Sequence, residues 1–367
     1  MKKIFLTVIT ICVGIIPAIS QDIQYGRKVT DYITGPKVGG YFIGKYSYTS
    51  QDNQASNNGF SQRLVRLYAD GTILNDFKYR VQVQINNKDF HMKDYFVEWA
   101  HWKEFSVKFG QYKRAFLFEN PYNPWDVGFG DYSQITKMFS GMGDYCGEPG
   151  STGGRDQGIQ FQGDLFPISE DGHRLIHYQL QFMNGQGINT GDANDRKDII
   201  GTIQFQPIKD LYIGVFGWKG NYSGSKEIEN KKYDVTVDRN RWALSAKYEH
   251  NAWSARAEYV KSEGHKISEY NADGTFSGAG KADGWYAAVG VPVNDWFKVY
   301  AKYDVYRDQA SKESQKTMYS IAPNFQIHKN LMLQLQYNYV DNKYVDNDNK
   351  PKSSHWNELW AEIYVRF

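Results

Sequence analysis

The chain reads as an all-β protein: a transmembrane antiparallel β-barrel of about 16 strands with one long loop folded into it. Three observations predict this. Segments of about ten residues alternate apolar and polar side chains through most of the sequence. The breaks between them alternate between short turns and long polar loops. Finally, 16% aromatic residues, including 28 Tyr and 10 Trp, coexist with a mean hydropathy of −0.63. A strand wall with one greasy face and one wet face produces that mixture.

The chain starts with Lys2 and Lys3, an apolar run from Ile4 to Ile16, and the small-residue site Ala18-Ile19-Ser20 before Gln21. Residues 1–20 are therefore expected to be a signal peptide, the run being too short to span about 30 Å of hydrocarbon. Cys12 lies inside that run rather than at a lipid-attachment position. Residues 21–36, polar and Gly-containing, are expected to form a periplasmic lead-in, and residues 37–367 the barrel.

Strands are expected at about 37–48 and 60–70, with Asp70-Gly71 supplying a turn. The third is the clearest. Phe77, Tyr79, Val81, Val83 and Ile85 point one way, and Lys78, Arg80, Gln82, Gln84 and Asn86 the other. Tyr95, Val97 and Trp99 mark the fourth, a turn of two or three residues near Trp102 follows, and Phe105, Val107 and Phe109 mark the fifth. Alternation resumes at Ile159–Leu165 and Ile176–Phe182. It continues near 198–206, 211–220, 238–249, 253–263, 283–291, 297–306, 317–327 and 331–340, and ends with Leu359, Ala361, Ile363, Val365 and Phe367. Turns at 207–210, 250–252, 294–295 and 328–330 are short, whereas 185–197, 221–237, 265–282 and 343–355 read as long polar loops. A secreted sandwich or propeller shares the alternation but has no reason to sort its loops this way.

Residues 114–154 carry no alternation. Loops of that length are functional or disordered, and the Phe, Tyr and Trp content argues against disorder. Flanked by two strands on the long-loop rim, this segment is expected to fold into the lumen, with Gly147, Gly150, Gly153 and Gly154 turning it back.

Without Lys2 and Lys3 the chain has 41 basic and 41 acidic residues, which gives no support for a nucleic-acid partner. Cys146 is then the sole cysteine, so no internal disulfide is expected.

Three stretches carry a family resemblance: FSQRLVRLYADGTILNDFKYRVQVQINN (60–87), KDYFVEWAHWKEFSVKFGQYKRAF (93–116) and GRDQGIQFQGDLF (154–166). They resemble the phosphate-selective O and P type of outer-membrane porin and its Bacteroidetes-type porin relatives. The resemblance implies a Gram-negative outer-membrane channel for passive diffusion of small hydrophilic solutes, with a bias toward anions such as phosphate. A homotrimer in outer-membrane lipid is also implied, with Phe367 offered to the barrel-assembly machinery. No cofactor or metal is expected.

Such a channel needs a wet lumen and charges aimed at what passes. The narrowest point is expected where the loop meets the wall. Lys113, Arg114, Lys137 and Arg155 would stand at the loop's base and tip, and Lys78, Arg80 and Lys108 on the wall. Arg256, Lys298 and Lys302 complete the expected anion path, opposed by Glu98, Glu258, Asp304 and Glu362. This departs from a densely basic ladder, and a general non-selective channel is the alternative. The strand holding Arg63 and Arg66 has no clean parity, so its facing is open. A barrel enzyme or a surface-binding barrel are the rivals from other classes. No nucleophile elbow is visible, His173 and His177 lack the further ligands of a metal site, and Asp341–Lys350 lacks the Gly and terminal Glu of a calcium loop. GFGDY and GMGDYCG do not follow a strand, so a dinucleotide reading fails.

Overall fold

Alternation becomes a closed ring. The structure, a computed structural model, describes residues 33–52, 54, 56–86, 89–168, 171–346, 348 and 350–367. The expected signal peptide and the lead-in up to residue 32 lie outside these, and residues 33–36, expected in the lead-in, belong to the first strand. Among the described residues sixteen antiparallel strands form, each paired with its sequence neighbours. They are β1 (Ile33–Thr49), β2 (Asn58–Ile73), β3 (Phe77–Asn86), β4 (Asp89–Trp99), β5 (Ser106–Lys113), β6 (Arg155–Pro167), β7 (Arg174–Met183) and β8 (Asp198–Ile208). The second half holds β9 (Leu211–Ile228), β10 (Lys231–His250), β11 (Trp253–Glu263), β12 (Lys281–Pro292), β13 (Phe297–Arg307), β14 (Gln315–His328), β15 (Leu331–Val345) and β16 (Pro351–Arg366). The ring closes where β1 pairs β16 from Tyr41↔Arg366 to Thr49↔Glu358. Gly40 and Phe367 exchange backbone hydrogen bonds of 2.9 and 3.0 Å at the foot of that seam. Closure satisfies every ladder and leaves no free edge in lipid.

The outer face carries the membrane signature. Trp242 packs on Tyr259, and Trp285, Tyr303, Tyr319 and Tyr339 continue side by side across β12 to β15. Near the short turns Trp296, Phe297 and Phe325 form a second cluster, and Trp99, Trp102 and Phe105 a third. Tyr319 and Phe325 are six residues apart on one strand, about 20 Å along it at the usual rise. The exposed residues between these levels include Ile321, Leu333 and Leu335. An apolar band between two aromatic girdles is how a barrel fits a bilayer.

Three local expectations are corrected. Asp70-Gly71 is not a turn: β2 continues to Ile73, with Asp70 opposite Arg80 and Gly71 opposite Tyr79. The chain reverses instead at Leu74 and Asn75, both with positive φ. Residues 221–237 are not a loop: β9 and β10 stay paired out to Ile228↔Lys231, around Glu229 and Asn230 in the left-handed region. Their Ser, Lys and Thr side chains suit a ladder that reaches into water, while Val235 and Val237 pack against a neighbouring loop. The turn near Trp102 spans residues 100–105 rather than two or three, and β4 begins at Asp89, well before Tyr95.

Two β-bulges break the period of two where it matters. Ile43 faces Leu64 but Gly44 faces Gln62, so Arg63 is an extra residue on β2. Gln82 faces Asp94 but Val83 faces Met92, so Lys93 is an extra residue on β4. A bulge re-aims side chains, and here Arg63 joins Arg66, and Lys93 joins Asp94, on the inner face.

The largest buried apolar cluster sits inside the barrel. Phe116, Phe118, Val127, Phe129, Ile135 and Phe139 of the long loop bury themselves against Phe216, Trp218, Ala243, Tyr286 and Ala288 of the wall. So β9 is apolar on both faces, with Ile213 and Val215 toward lipid and Phe216 and Trp218 inward.

Candidate functional site: the infolded loop and the wall it leaves open

The loop leaves β5 after Lys113 and rejoins the wall at Arg155. It follows the inner wall from β7 round to β16. Gln181 of β7 accepts the Ala115 amide at 2.7 Å, and Thr202 of β8 donates to the Ala115 carbonyl at 2.5 Å. Phe116 and Phe118 meet Phe216 edge-on, 6.2 and 5.4 Å between ring centres. Glu258 of β11 then accepts the amides of Phe118 and Glu119 at 2.7 and 3.0 Å. Arg256 donates to the Val127 carbonyl, Phe129 packs on Tyr300 of β13, and Gln336 of β15 accepts the Gly130 amide. Trp125 reaches Tyr364 of β16 at 5.7 Å, with the Arg366 guanidinium over its ring.

A one-and-a-half-turn helix, α1 (Gln134–Phe139), turns the loop back. Ser133 caps it by accepting from the Thr136 amide, and Asp304 of β13 accepts from the Gln134 amide at 2.9 Å. On its way α1 lies against the smallest part of the wall. A Cβ on Gly284 would stand 2.6 Å from the Ile135 side chain, so any larger residue there would push α1 off.

The exit arm of the loop is locked by a buried ion network. Arg114, with no exposed surface, donates to Glu148 at 2.9 and 3.0 Å and to Asp156 at 2.8 Å. Arg239 of β10 binds the other side of Glu148, and also Asp198 at 2.6 Å and the Gly185 carbonyl at 2.7 Å. Arg241 holds Asp144 through two bonds of 2.7 and 2.6 Å and the Phe139 carbonyl through a third. All three guanidinium groups lie 4.5–5.1 Å from the Trp218 ring, a cation–π arrangement that strengthens out of water. Burial raises the Asp144 carboxyl, but the Arg241 guanidinium overrides that and holds it below the usual carboxylate range. Gly141 is required here: its φ is +89°, and a Cβ would collide with Arg114.

The wall from β1 to β6 faces the inner edge of the loop, which covers it in part, Trp125 packing on Tyr41, Ile43 and Leu64. Lys45 lies 3.6 Å and Arg63 3.1 Å from Glu362. Arg66 donates to Gln84 at 2.7 Å and to the Tyr41 hydroxyl at 2.8 Å. Arg80 pairs bidentately with Asp70, Arg155 with Asp94, and Lys108 lies 3.4 Å from Glu98. Lys113 donates to the carbonyls of Asn120 and Tyr122, and Lys93 to that of Ser151. On the loop itself, Lys137 pairs with Asp131 at 2.7 Å, and both remain partly exposed. Burial alone would raise Asp131; Lys137 and Arg63 reverse that and hold it below the usual range, while Asp131 in turn raises Lys137.

Comparison with known proteins agrees with this geometry. A family model described as Gram-negative porin matches residues 17–344. The chain belongs to the Gram-negative porin family. A search of curated proteins finds no significant match. Among solved structures, the chain is similar in fold to the anion-selective porin from Comamonas acidovorans (TM-score 0.63, 12% identity, covering 91% of this chain and 99% of that one). It is similar also to the trimer form of OmpT from Vibrio cholerae (0.62, 12%, 92% and 100%) and to the channel DcaP of Acinetobacter baumannii (0.61, 13%, 93% and 99%). This porin is an outer-membrane channel, its lumen narrowed by its own loop.

The porin's expected charges fall into two groups. Lys78, Arg80, Lys108, Lys113 and Lys137 stand on the wall from β1 to β6 or the loop edge, with Lys78 exposed in the lumen beside Glu98 at the short-turn end. Arg114, Arg155, Arg256 and Lys302 are buried; Arg114 and Arg256 act as clamps on the loop, and Lys302 lies 3.7 Å from Asp304 with Phe129 beside it. Lys298 is half-buried beside Tyr300 and Ser254. Four lumen cations escaped the sequence reading: Lys45, Arg63, Arg66 and Lys93. Two of them owe their facing to a bulged residue, which the period of two misassigns. His173 and His177 bind separate partners, Asp171 and Asp164.

Proposed function

We propose that this porin passes small hydrophilic solutes by passive diffusion and favours anions, phosphate among them. The observation that carries the reading is the charge of the open wall. Lys45, Arg63, Arg66, Lys78, Arg80, Lys93, Lys108, Lys113, Lys137 and Arg155 face five carboxylates: Asp70, Asp94, Glu98, Asp131 and Glu362. Ten against five leaves five positive charges in excess. Among the described residues, Arg66, Lys78, Lys93 and Lys113 have no carboxylate within 4.0 Å. In a narrow water-filled channel such an excess lowers the barrier for anions and raises it for cations.

Arg80 and Arg155 of the expected path, and Arg63 and Arg66 beside them, are fork-shaped donors suited to oxyanions. The Comamonas relative of this fold is itself anion-selective, which supports the direction of the bias. The trimer form of OmpT supports a homotrimer in the outer membrane. The non-selective alternative draws on one fact, that six of the ten cations already sit within 4.0 Å of a carboxylate.

The test is conductance of purified protein in a planar bilayer. Stepwise openings whose chloride current falls as phosphate is added are expected. No stepwise openings would end the channel reading, and chloride current indifferent to phosphate would end the phosphate preference.

A further inference from the structure

A recess of about 230 Å³ opens on the lumen where the foot of the loop meets β3 to β7. It lies at the margin of the loop's packing, with Arg114, Ala115, Pro121 and Asn123 of the loop on one side. Two of its polar groups keep hydrogen-bonding capacity unused by the fold. Tyr112 is 3% exposed, yet its hydroxyl has no hydrogen-bond partner among the described residues. Among the described residues Lys108 makes no hydrogen bond; its ammonium stands 3.4 Å from Glu98 and over the rings of Phe96 and Tyr112, 4.9 and 5.5 Å from their centres. A buried hydroxyl without a partner costs about 1–3 kcal/mol, so its place in a wall that opens to solutes calls for a reason.

The charges of the recess favour an anion. Its cations are Arg80, Lys108, Lys113, Arg114 and Arg155. Asp70, Glu98, Asp156 together with Glu148, and Asp94 pair with all of these except Lys113. Lys113 is the cation of the recess without a carboxylate partner. Lys113 spends its donors on the loop carbonyls and Tyr132, so it supplies field, and Lys108 and Tyr112 supply the hydrogen bonds. The other wall is apolar, made by the Phe96 and Tyr112 rings in an edge-on pair (6.1 Å, 86°) with Ala115 and Pro121 beside them.

We propose that this recess is a binding subsite for small organic monoanions, with the carboxylate held by the Lys108 ammonium and the Tyr112 hydroxyl and the apolar body resting on Phe96, Ala115 and Pro121. The volume falls below the roughly 300 Å³ at which pockets begin to hold drug-sized ligands, so the occupant is a one-ring or short-chain acid. The proposal rests on the anion bias argued above and goes beyond it, since a field alone would not distinguish a carboxylate with an apolar body from a bare inorganic ion.

The experiment is block of single-channel chloride current by benzoate, with inorganic phosphate and neutral benzyl alcohol as comparisons. The full-length channel is used in planar bilayers. Saturable block by benzoate is expected, weaker block by phosphate, and none by benzyl alcohol. Tyr112→Phe, which keeps the ring, should weaken benzoate block about tenfold, the worth of one hydrogen bond to a charged group. Lys108→Met should weaken it at least as much. Heat-modifiable migration on gels confirms that each variant is a folded barrel. Lack of block by benzoate, equal block by phosphate, or unchanged block in both variants would overturn the subsite. The salt-gradient potential of the unsubstituted channel, read in the same membrane, tests the anion bias separately, so the two failures are distinguishable.

Discussion

Glu148→Gln is the most informative perturbation of the loop. Glu148 joins Arg114, at the loop's entry, to Arg239 of β10, and none of the three side chains is exposed. The substitution keeps size and removes the charge between two guanidinium groups. Breaking a buried ion pair on one side costs about 3–5 kcal/mol. Asp156 still holds Arg114 and Asp198 still holds Arg239, so the low end, about 3 kcal/mol, applies. At about 1.4 kcal/mol per tenfold, the exit arm should leave the wall roughly a hundredfold more often. Cys146 provides the readout. It is 1% exposed, covered by Val235, Val237 and Ile267 of the external hairpin and its neighbouring loop. Burial, with Asp144 beside it, also pushes its thiol up, so it is inert while docked. When reclosing outpaces labelling, alkylation tracks the open population. Maleimide labelling of Cys146 in detergent-solubilised barrels should therefore speed up about a hundredfold in Glu148→Gln. An unchanged rate would refute the claim that this network holds the arm.

Further outcomes follow from the same contacts. Gly284→Val should displace α1, because its side chain would meet Ile135 and the Val305 carbonyl; larger and noisier single-channel conductance is expected. Phe129→Ala removes a fully buried ring packed on Tyr300 and should cost about 3–5 kcal/mol of loop docking, read as faster Cys146 labelling. Arg63→Gln with Arg66→Gln should reduce chloride preference in a salt gradient; an unchanged potential would place the selective region elsewhere. Asp131→Asn should strengthen anion preference by the same increment at neutral pH and near pH 4, where an unperturbed aspartate is half protonated. Its lowered pKa keeps the charge in place until pH falls through that lowered value, well below the ordinary one. An increment that vanishes near pH 4 would show that Lys137 and Arg63 do not hold it.

The parts of this porin that depend on local pattern were legible in its sequence. Phe77–Asn86 alternates without error because lipid and water impose opposite demands on its two faces. The loop is bounded by Lys113 and Arg155 because alternation stops at one and restarts at the other. What was illegible depends on contacts far along the chain. Phe216 and Trp218 face inward against the rule because Phe116, about a hundred residues earlier, covers them. Arg114 and Arg155 have the chemistry of an anion path, but Glu148, Asp156 and Asp94 claim them, and no spacing records that. The bulges at Arg63 and Lys93 shift parity by one residue and hide two lumen cations. The Asp70-Gly71 pair has turn chemistry, yet Arg80 across the ladder binds Asp70 and keeps it in the strand.

The central claim is that the loop leaves open a wall with more positive than negative charge. The zero-current potential of the purified channel between two potassium chloride concentrations tests it most directly. A potential of the sign set by chloride, reduced when Arg63, Arg66 and Lys113 are replaced together by Gln, is predicted. A potential of the sign set by potassium would contradict it.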